Sequence, residues 1–457
     1  MKKLHFLLIV LPIFYLQSFA QIGFTENSIS TNADYAQSVF AIDIDGDGDI
    51  DVLSASNDDD KIAWYENDGS QTFTEHIISA NADGAFSVFA IDVDGDNDID
   101  VLSASRGTWN GTGYGNSKIE WYKNDGSQTF TKYTIYTNVN GAYSVFALDV
   151  DGDNDIDVLS ASYWGDEIAW YENNGSQIFT KHSISTNVNG AYSVFAIDVD
   201  GDSDIDVLSA SFFDDIIAWY ENDSSQTFTK HTISTNCNGA MSVFAIDVDG
   251  DSDIDVLSAS NGDDIIAWYE NNGNQTFTEH IITINANAAF SVFAIDVDGD
   301  SDIDVLSASR TNDEIAWYEN NGSQTFTEHS ITINADGAMS VFAIDIDGDS
   351  DIDVLSASRE DDKIAWYEND GGVGVEIFNS NSNISIYPNP TTGKISVEAE
   401  DIEKIDIYDI QGMKVKSQKA NIKSQKYELD LSTQPKGIYI IKVRTSKGVA
   451  VEKVVKE

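Results

Sequence analysis

Cysteine is all but missing. The 457 residues hold one, Cys237, so no disulfide can form within the chain and the fold must stand without one. Proline is nearly as scarce: there are four, and none between Gln21 and Tyr387, as uninterrupted β-ladders require. Positive charge is also sparse. Against 78 Asp and Glu stand 25 Lys and Arg, a net charge of −53. From Asn383 onward 13 basic and 10 acidic residues give +3, which leaves −56 on residues 1–382. Such a field excludes nucleic acid and anionic lipid as partners. Since 41% of residues are hydrophobic and 11% aromatic, the acidity belongs to a folded, cation-binding surface and not to a disordered tail.

Long apolar runs are confined to the start of the chain. Lys2 and Lys3 precede an apolar stretch that ends in Ser18-Phe19-Ala20. This is the pattern of a signal peptide over residues 1–20, with the mature chain beginning at Gln21 and no transmembrane segment left after its removal. A helical period of 3.6 is absent from the region that follows.

What is present is repetition. The string DIDGDGDIDVLSAS at 43–56 returns, with small changes, at 92, 149, 198, 247, 296 and 345. Each copy is preceded by SVFAIDV or a close variant and followed by IAWYEN or a close variant, then a polar turn such as NDGSQ, then FTEHIIS or FTKHTIS. These segments read as four strands per unit, and seven such units predict an all-β, seven-bladed β-propeller over residues 21–370. The phase supports closure. The segment GFTENSIS at 23–30 is a fourth strand, and the last unit ends at IAWYEND (364–370) without one. The N-terminal strand is therefore expected to complete the last blade. Cys237 lies in STNCNGA, where the sister units have Ala or Val, so packing is its expected role.

The loop Asp43-Ile44-Asp45-Gly46-Asp47-Gly48-Asp49-Ile50-Asp51 brings five carboxylates into nine residues, which repel one another unless a cation sits among them. Oxygens at positions one, three, five and nine, with a carbonyl at seven, suit a hard cation that takes six to eight oxygen ligands. The flanks are strands, which excludes an EF-hand or dockerin, and thrombospondin-type calcium repeats would need cysteines. Loop, flanks and sevenfold count together resemble the FG-GAP/VCBS repeats, the calcium-binding propeller family that includes integrin α-chains.

That resemblance implies up to seven structural Ca2+ ions. It makes Asp43, Asp45, Asp47 and Asp51 side-chain ligands, and Asp49 a carbonyl ligand. The corresponding sets are Asp92, Asp94, Asp96, Asp98 and Asp100; Asp149, Asp151, Asp153, Asp155 and Asp157; and Asp198, Asp200, Asp202, Asp204 and Asp206. They continue with Asp247, Asp249, Asp251, Asp253 and Asp255; Asp296, Asp298, Asp300, Asp302 and Asp304; and Asp345, Asp347, Asp349, Asp351 and Asp353. One position departs from the pattern. Gly48 becomes Asn97, Asn154, Ser203, Ser252, Ser301 or Ser350 in the other loops, so affinities are expected to differ.

Near-identity of the units makes their exceptions informative. The connection from second to third strand varies most, and in the second unit it lengthens to RGTWNGTGYGNSK (106–118). Arg106, Trp109 and Tyr114 stand there, with Trp164, Phe212 and Phe213 in the next two units. A second variable place, before each SVF, holds Phe86, Tyr143 and Tyr192 among others. Aromatics beside carboxylates and amides suit an extracellular glycan or a protein partner, in adhesion or recognition. No nucleophile elbow, zinc signature or phosphate loop appears, and the His of the fourth strand recurs by symmetry as scaffold, so no catalytic residue is assigned. A carbohydrate-active enzyme (polysaccharide lyase or hydrolase) and a purely structural surface component stand as alternatives.

After a linker at 371–383 the composition changes. YPNP (387–390), IDIYDIQGMKV (405–415), LSTQPKGIYIIKV (431–443) and VEKVVKE (451–457) follow in order, and their alternation predicts a small β-sandwich over 384–457. The motif order resembles the type A C-terminal sorting domain of the type IX (Por) secretion system. This implies the type IX machinery as a partner and a destination outside the cell, or on the outer surface, of a Gram-negative bacterium.

Overall fold

The computed structural model describes residues 22–371, apart from 110 and 112, and residues 385–456, apart from 409–413 and 446–447. The expected signal peptide, and the expected linker beyond Gly371, lie outside the described residues. The chain divides into two compact units, one of them spanning Phe24–Asp370.

That unit is all-β, a set of repeated four-stranded antiparallel sheets of the kind that builds a propeller. In the first complete sheet the strands are Ala36–Ile42, Asp51–Ser56, Lys61–Asn67 and Phe73–Ser79, in chain order. Small residues let the inner strands approach closely, and every residue of DVLSAS is buried. Trp64 and Tyr65 of the third strand are both buried but on opposite faces. Trp64 packs toward Ala85, Val88 and Val101 of the following sheet, and Tyr65 with Leu355 and Trp366 of the last one. Each sheet thus shares a core with its neighbour on either side.

Phe24–Ser30 pairs antiparallel with Lys363–Asn369 and completes the sheet built from Ala338–Ile344, Asp353–Ser358 and Lys363–Asn369. First and last sheets also touch along their innermost strands. Phe40 lies 4.9 Å from Phe89 on one side and 4.9 Å from Phe342 on the other. The same spacing links Phe89, Phe146, Phe195, Phe244, Phe293 and Phe342 in succession. A parallel series of hydrogen bonds runs from Val N–H to the Ser hydroxyl of the preceding sheet, as from Val88 to Ser38 and from Val39 to Ser340.

The tail is described by itself. Ser385–Tyr387, Lys394–Tyr408, Lys414–Asp430, Gly437–Thr445 and Gly448–Lys456 form one five-stranded antiparallel sheet. The pairing of the two longest strands carries a register break between Glu398 and Ile402.

Candidate functional site

Each Asp loop joins the first and second strands of a sheet and is held by its own carboxylates. In the first loop the N–H groups of Gly46 and Gly48 donate to Asp43 at 2.8 and 3.0 Å, and that of Asp49 donates to Asp47 at 2.9 Å. Asp51, 1% exposed, accepts from Ile44 N–H at 3.0 Å and from Asn67 N–H at 2.8 Å. The ninth residue therefore ties the loop to the third strand. Position six is left-handed in every copy: Gly48 has φ 97°, Asn97 72° and Ser203 79°. The Ser and Asn departures keep the turn but adopt a conformation that glycine takes without strain.

The donor set fits a hard cation. Carboxylate oxygens of Asp43, Asp45 and Asp51 lie within 4.8 Å of one another, as do those of Asp149, Asp151 and Asp157, and of Asp198, Asp200 and Asp206. Without a cation the cluster resists ionisation. Burial pushes Asp51, Asp206 and Asp255 up to about 6, and Asp100, Asp157, Asp304 and Asp353 up to about 7. Asp45 is raised by burial and then by Asp47, Asp43 and Glu66. Position seven behaves differently, because its side chain faces the neighbouring hairpin turn. A Cβ on Gly273 would lie 2.5 Å from Asp253 Oδ2. That side chain serves the turn, which leaves its carbonyl as the group to offer a cation.

The second loop is rewired. Where the other third strands carry Glu, this one carries Lys123, whose ammonium bonds Asp94 and also Asp96, the latter at 2.9 Å. In five of the other units that Glu pairs with a His of the fourth strand, as Glu66 does with His76 at 2.7 Å, and in the sheet that Phe24–Ser30 completes the His place is Asn27. Here the His place holds Tyr133, stacked on Trp121 at 4.9 Å. Glu120, where the sister units have Ala, is buried and paired with Lys132 at 3.0 Å. The repeated His–Glu pairs recur at His182, His231, His280 and His329, in keeping with a scaffold role.

The second-to-third connections bring the expected aromatics together. Thr108–Trp109 and Tyr114–Gly115 form a short ribbon that sets Trp109 against Tyr114, 5.3 Å between centroids. Trp109 also meets Trp164 at 5.4 Å, and Trp164 meets Phe213 at 6.0 Å. Trp109, Trp164 and Phe213 are 49, 41 and 47% exposed. Tyr163, which the sequence reading did not single out, joins them: it touches Trp164 at 5.3 Å, Phe213 at 5.2 Å and Phe212 at 5.9 Å. Arg106 is half-buried, donates to Asn57 at 2.6 Å, and lies over the Tyr114 ring. It braces the platform from beneath.

The ring of variable residues before SVF does surround one cavity, together with the adjacent serines. It differs from expectation in being filled by its own side chains. Phe86 is buried and packs 4.2 Å from Tyr143, while Met241, Phe290 and Met339 cluster against Tyr192 and Phe212. The cavity is about 110 Å³, well below the roughly 300 Å³ at which ligand pockets begin. Phe86, Tyr143 and Tyr192 line this cavity, with Tyr143 and Tyr192 half-buried. Burial holds the phenols of Tyr143 and Tyr192 above their ordinary range.

Two repeated residues escaped the sequence reading. Asp60 takes φ 56°, and its carboxylate accepts the N–H of Gly84 in the next unit at 2.8 Å. Asp166, Asp215, Asp264, Asp313 and Asp362 do the same. The side chain of Asn124 donates to Ile99 in its own loop and to Ile44 in the preceding one. The Asp just before the third strand in six of the seven units, replaced by Ser117 in the second, and the closing Asn of IAWYEN were the available signals.

Comparison with known proteins agrees with this division. The model of the FG-GAP-like repeat matches residues 43–103, 149–209, 198–258, 247–307 and 296–356, together more than half of the chain. The model of the secretion system C-terminal sorting domain matches residues 385–457. That domain sends the protein out through its secretion machinery to the outer cell surface. No curated protein matches the chain. Among solved structures, a putative 6-phosphogluconolactonase from Bacteroides fragilis is similar with a TM-score of 0.49 and 11% identity, over 87% of this chain and 99% of that one. No shared activity follows from a likeness at that level. Among the described residues no helix is long and apolar enough to cross a membrane.

Proposed function

Since the chain belongs to the FG-GAP-like repeat family and ends in a secretion sorting domain, we propose that it is an exported, calcium-loaded propeller that binds an extracellular glycan. Residues 1–20 serve as its signal peptide, residues 21–370 as seven blades in a closed ring, and 371–383 as the linker to the tail. The unbroken circuit of seven phenylalanines supports the closure. In the tail, Ile395 and Leu429 share one apolar cluster with Ile407 and Ile441, which supports a sheet folded over on itself as a small sandwich. Calcium bound in Asp loops neutralises the carboxylates that crowd one another there. It contributes stability and not chemistry.

One observation carries the ligand assignment: Trp109, Trp164 and Phe213 are exposed, mutually packed, and confined to the side of the molecule that varies between units. Apolar ring faces stack on the C–H faces of sugars. Polar groups stand at the rim, where Asp83 accepts from Thr108 at 2.7 Å and from Asn116 at 3.3 Å. The acidic field of the domain favours an uncharged sugar over a sulfated or uronic one.

The test is a glycan array probed with the purified protein in millimolar calcium, alongside the Trp109→Ala and Trp164→Ala variants. Saturable binding to neutral glycans, lost in both variants while their melting curves are unchanged, is the expected result. A blank array from folded protein would overturn the glycan assignment in favour of a protein partner or a structural surface role.

A further inference from the structure

The seven Asp loops are alike in sequence, but one of them already contains a cation. At the third-strand position facing the loop, the first and third to seventh units place a carboxylate. These are Glu66, Glu172, Glu221, Glu270, Glu319 and Glu368. In the second unit the same position is Lys123, so the local charge changes by two. Its ammonium bridges Asp94 and Asp96, the third and fifth residues of the loop. Those are two of the four side chains that would hold a metal.

The exchange is accompanied by a change at its partner position. In the five units whose fourth strand carries His, that His holds the Glu, whereas Tyr133 stacks on Trp121 and leaves the third-strand side chain free to reach the loop. A divalent ion entering this loop would have to displace the ammonium and then share its surroundings with it, which like-charge repulsion opposes.

We infer that the second Asp loop is neutralised from within by Lys123 and takes no calcium, so that the protein holds six calcium ions and not seven. The inference rests on the reading that the other loops bind calcium, and the experiment separates the two. Bound calcium per chain is measured by equilibrium dialysis and atomic emission on the full-length protein and on Lys123→Glu, with and without Tyr133→His. Six ions in the unaltered protein and seven in Lys123→Glu are expected. Glu66→Lys, which copies the arrangement into the first loop, is expected to leave five.

Equal counts in the unaltered protein and Lys123→Glu overturn the inference while leaving the calcium reading intact. No bound calcium in any of these proteins overturns both. If Lys123→Glu fails to fold, hydrogen exchange on the unaltered protein decides. Peptides covering 92–100 should be equally protected with and without EDTA, whereas those covering 198–206 should lose protection several-fold. Equal loss in both loops overturns the assignment of Lys123 as the resident cation.

Discussion

In calcium-free buffer the repeat domain should become less stable as pH rises from 5 to 8. The cause is the ninth residue of each loop. Asp255 is fully buried, accepts N–H groups from Val248 and Asn271, and is nonetheless pushed up to about 6 by desolvation. Asp157, Asp304 and Asp353 reach about 7. In the unfolded chain the same groups titrate near 3.8. Between these values the folded state binds more protons than the unfolded state, so stability falls as pH rises. The contribution is fully present below pH about 4 and is lost once pH passes about 7. A shift of about two pH units corresponds to ~3 kcal/mol for one such group. The carboxylates of this domain whose range is lowered, Asp96, Asp125 and Asp223, act in the opposite sense but only below pH about 4.

Thermal melts followed by circular dichroism in EDTA, at half-unit steps of pH, read this slope directly. Asp255→Asn should flatten it by one group's share. Saturating calcium should reverse it between pH 4 and 6, because the ligands must lose their protons to bind the ion. An EDTA profile that is flat or rising between pH 5 and 7 would refute the claim that buried, unneutralised carboxylates limit the metal-free protein.

Three further outcomes are expected at equilibrium unfolding. Asn271→Ala removes the side-chain donor to Ile254 and Val199 and the acceptor for Gly273 N–H, and should cost about 2–3 kcal/mol by leaving buried backbone groups unpaired. Phe244→Ala opens the axial circuit between Phe195 and Phe293. It should cost ~3 kcal/mol, the low end for a large aromatic since this ring is only partly buried, with calcium stoichiometry unchanged by dialysis. Gly273→Ala forces a Cβ to within 2.5 Å of Asp253 at φ 73° and should cost about 1–2 kcal/mol. The fourth unit, which already has Ser224 at that place with its hydroxyl on Asp204, should tolerate Ser224→Gly with little change.

Much of this molecule was legible because its sequence says the same thing seven times. The period located the strands, the missing fourth strand after Asp370 announced the pairing of Phe24–Ser30, and the Asp spacing identified the loops. What stayed hidden depends on side-chain direction. Phe86 and Trp164 are both aromatic residues at variable positions, yet one packs under its neighbours and the other faces solvent, and a strand alternation one residue long cannot tell them apart. Asp60 and Asp51 are both repeated carboxylates, but Asp60 stitches one unit to the next across a turn that only the folded ring brings together. Lys123 was visible as an exception. Its meaning required knowing that the third strand runs beside the loop of its own sheet.

The aromatic platform of Trp109, Trp164 and Phe213 is the proposed recognition surface. Hydrogen exchange of the calcium-loaded protein, with and without the tightest neutral glycan from the array, tests it most directly. Protection confined to peptides spanning 106–118, 163–166 and 212–215 is the predicted result. Protection centred on the Asp loops, or on the fourth strands at the rim, would contradict it.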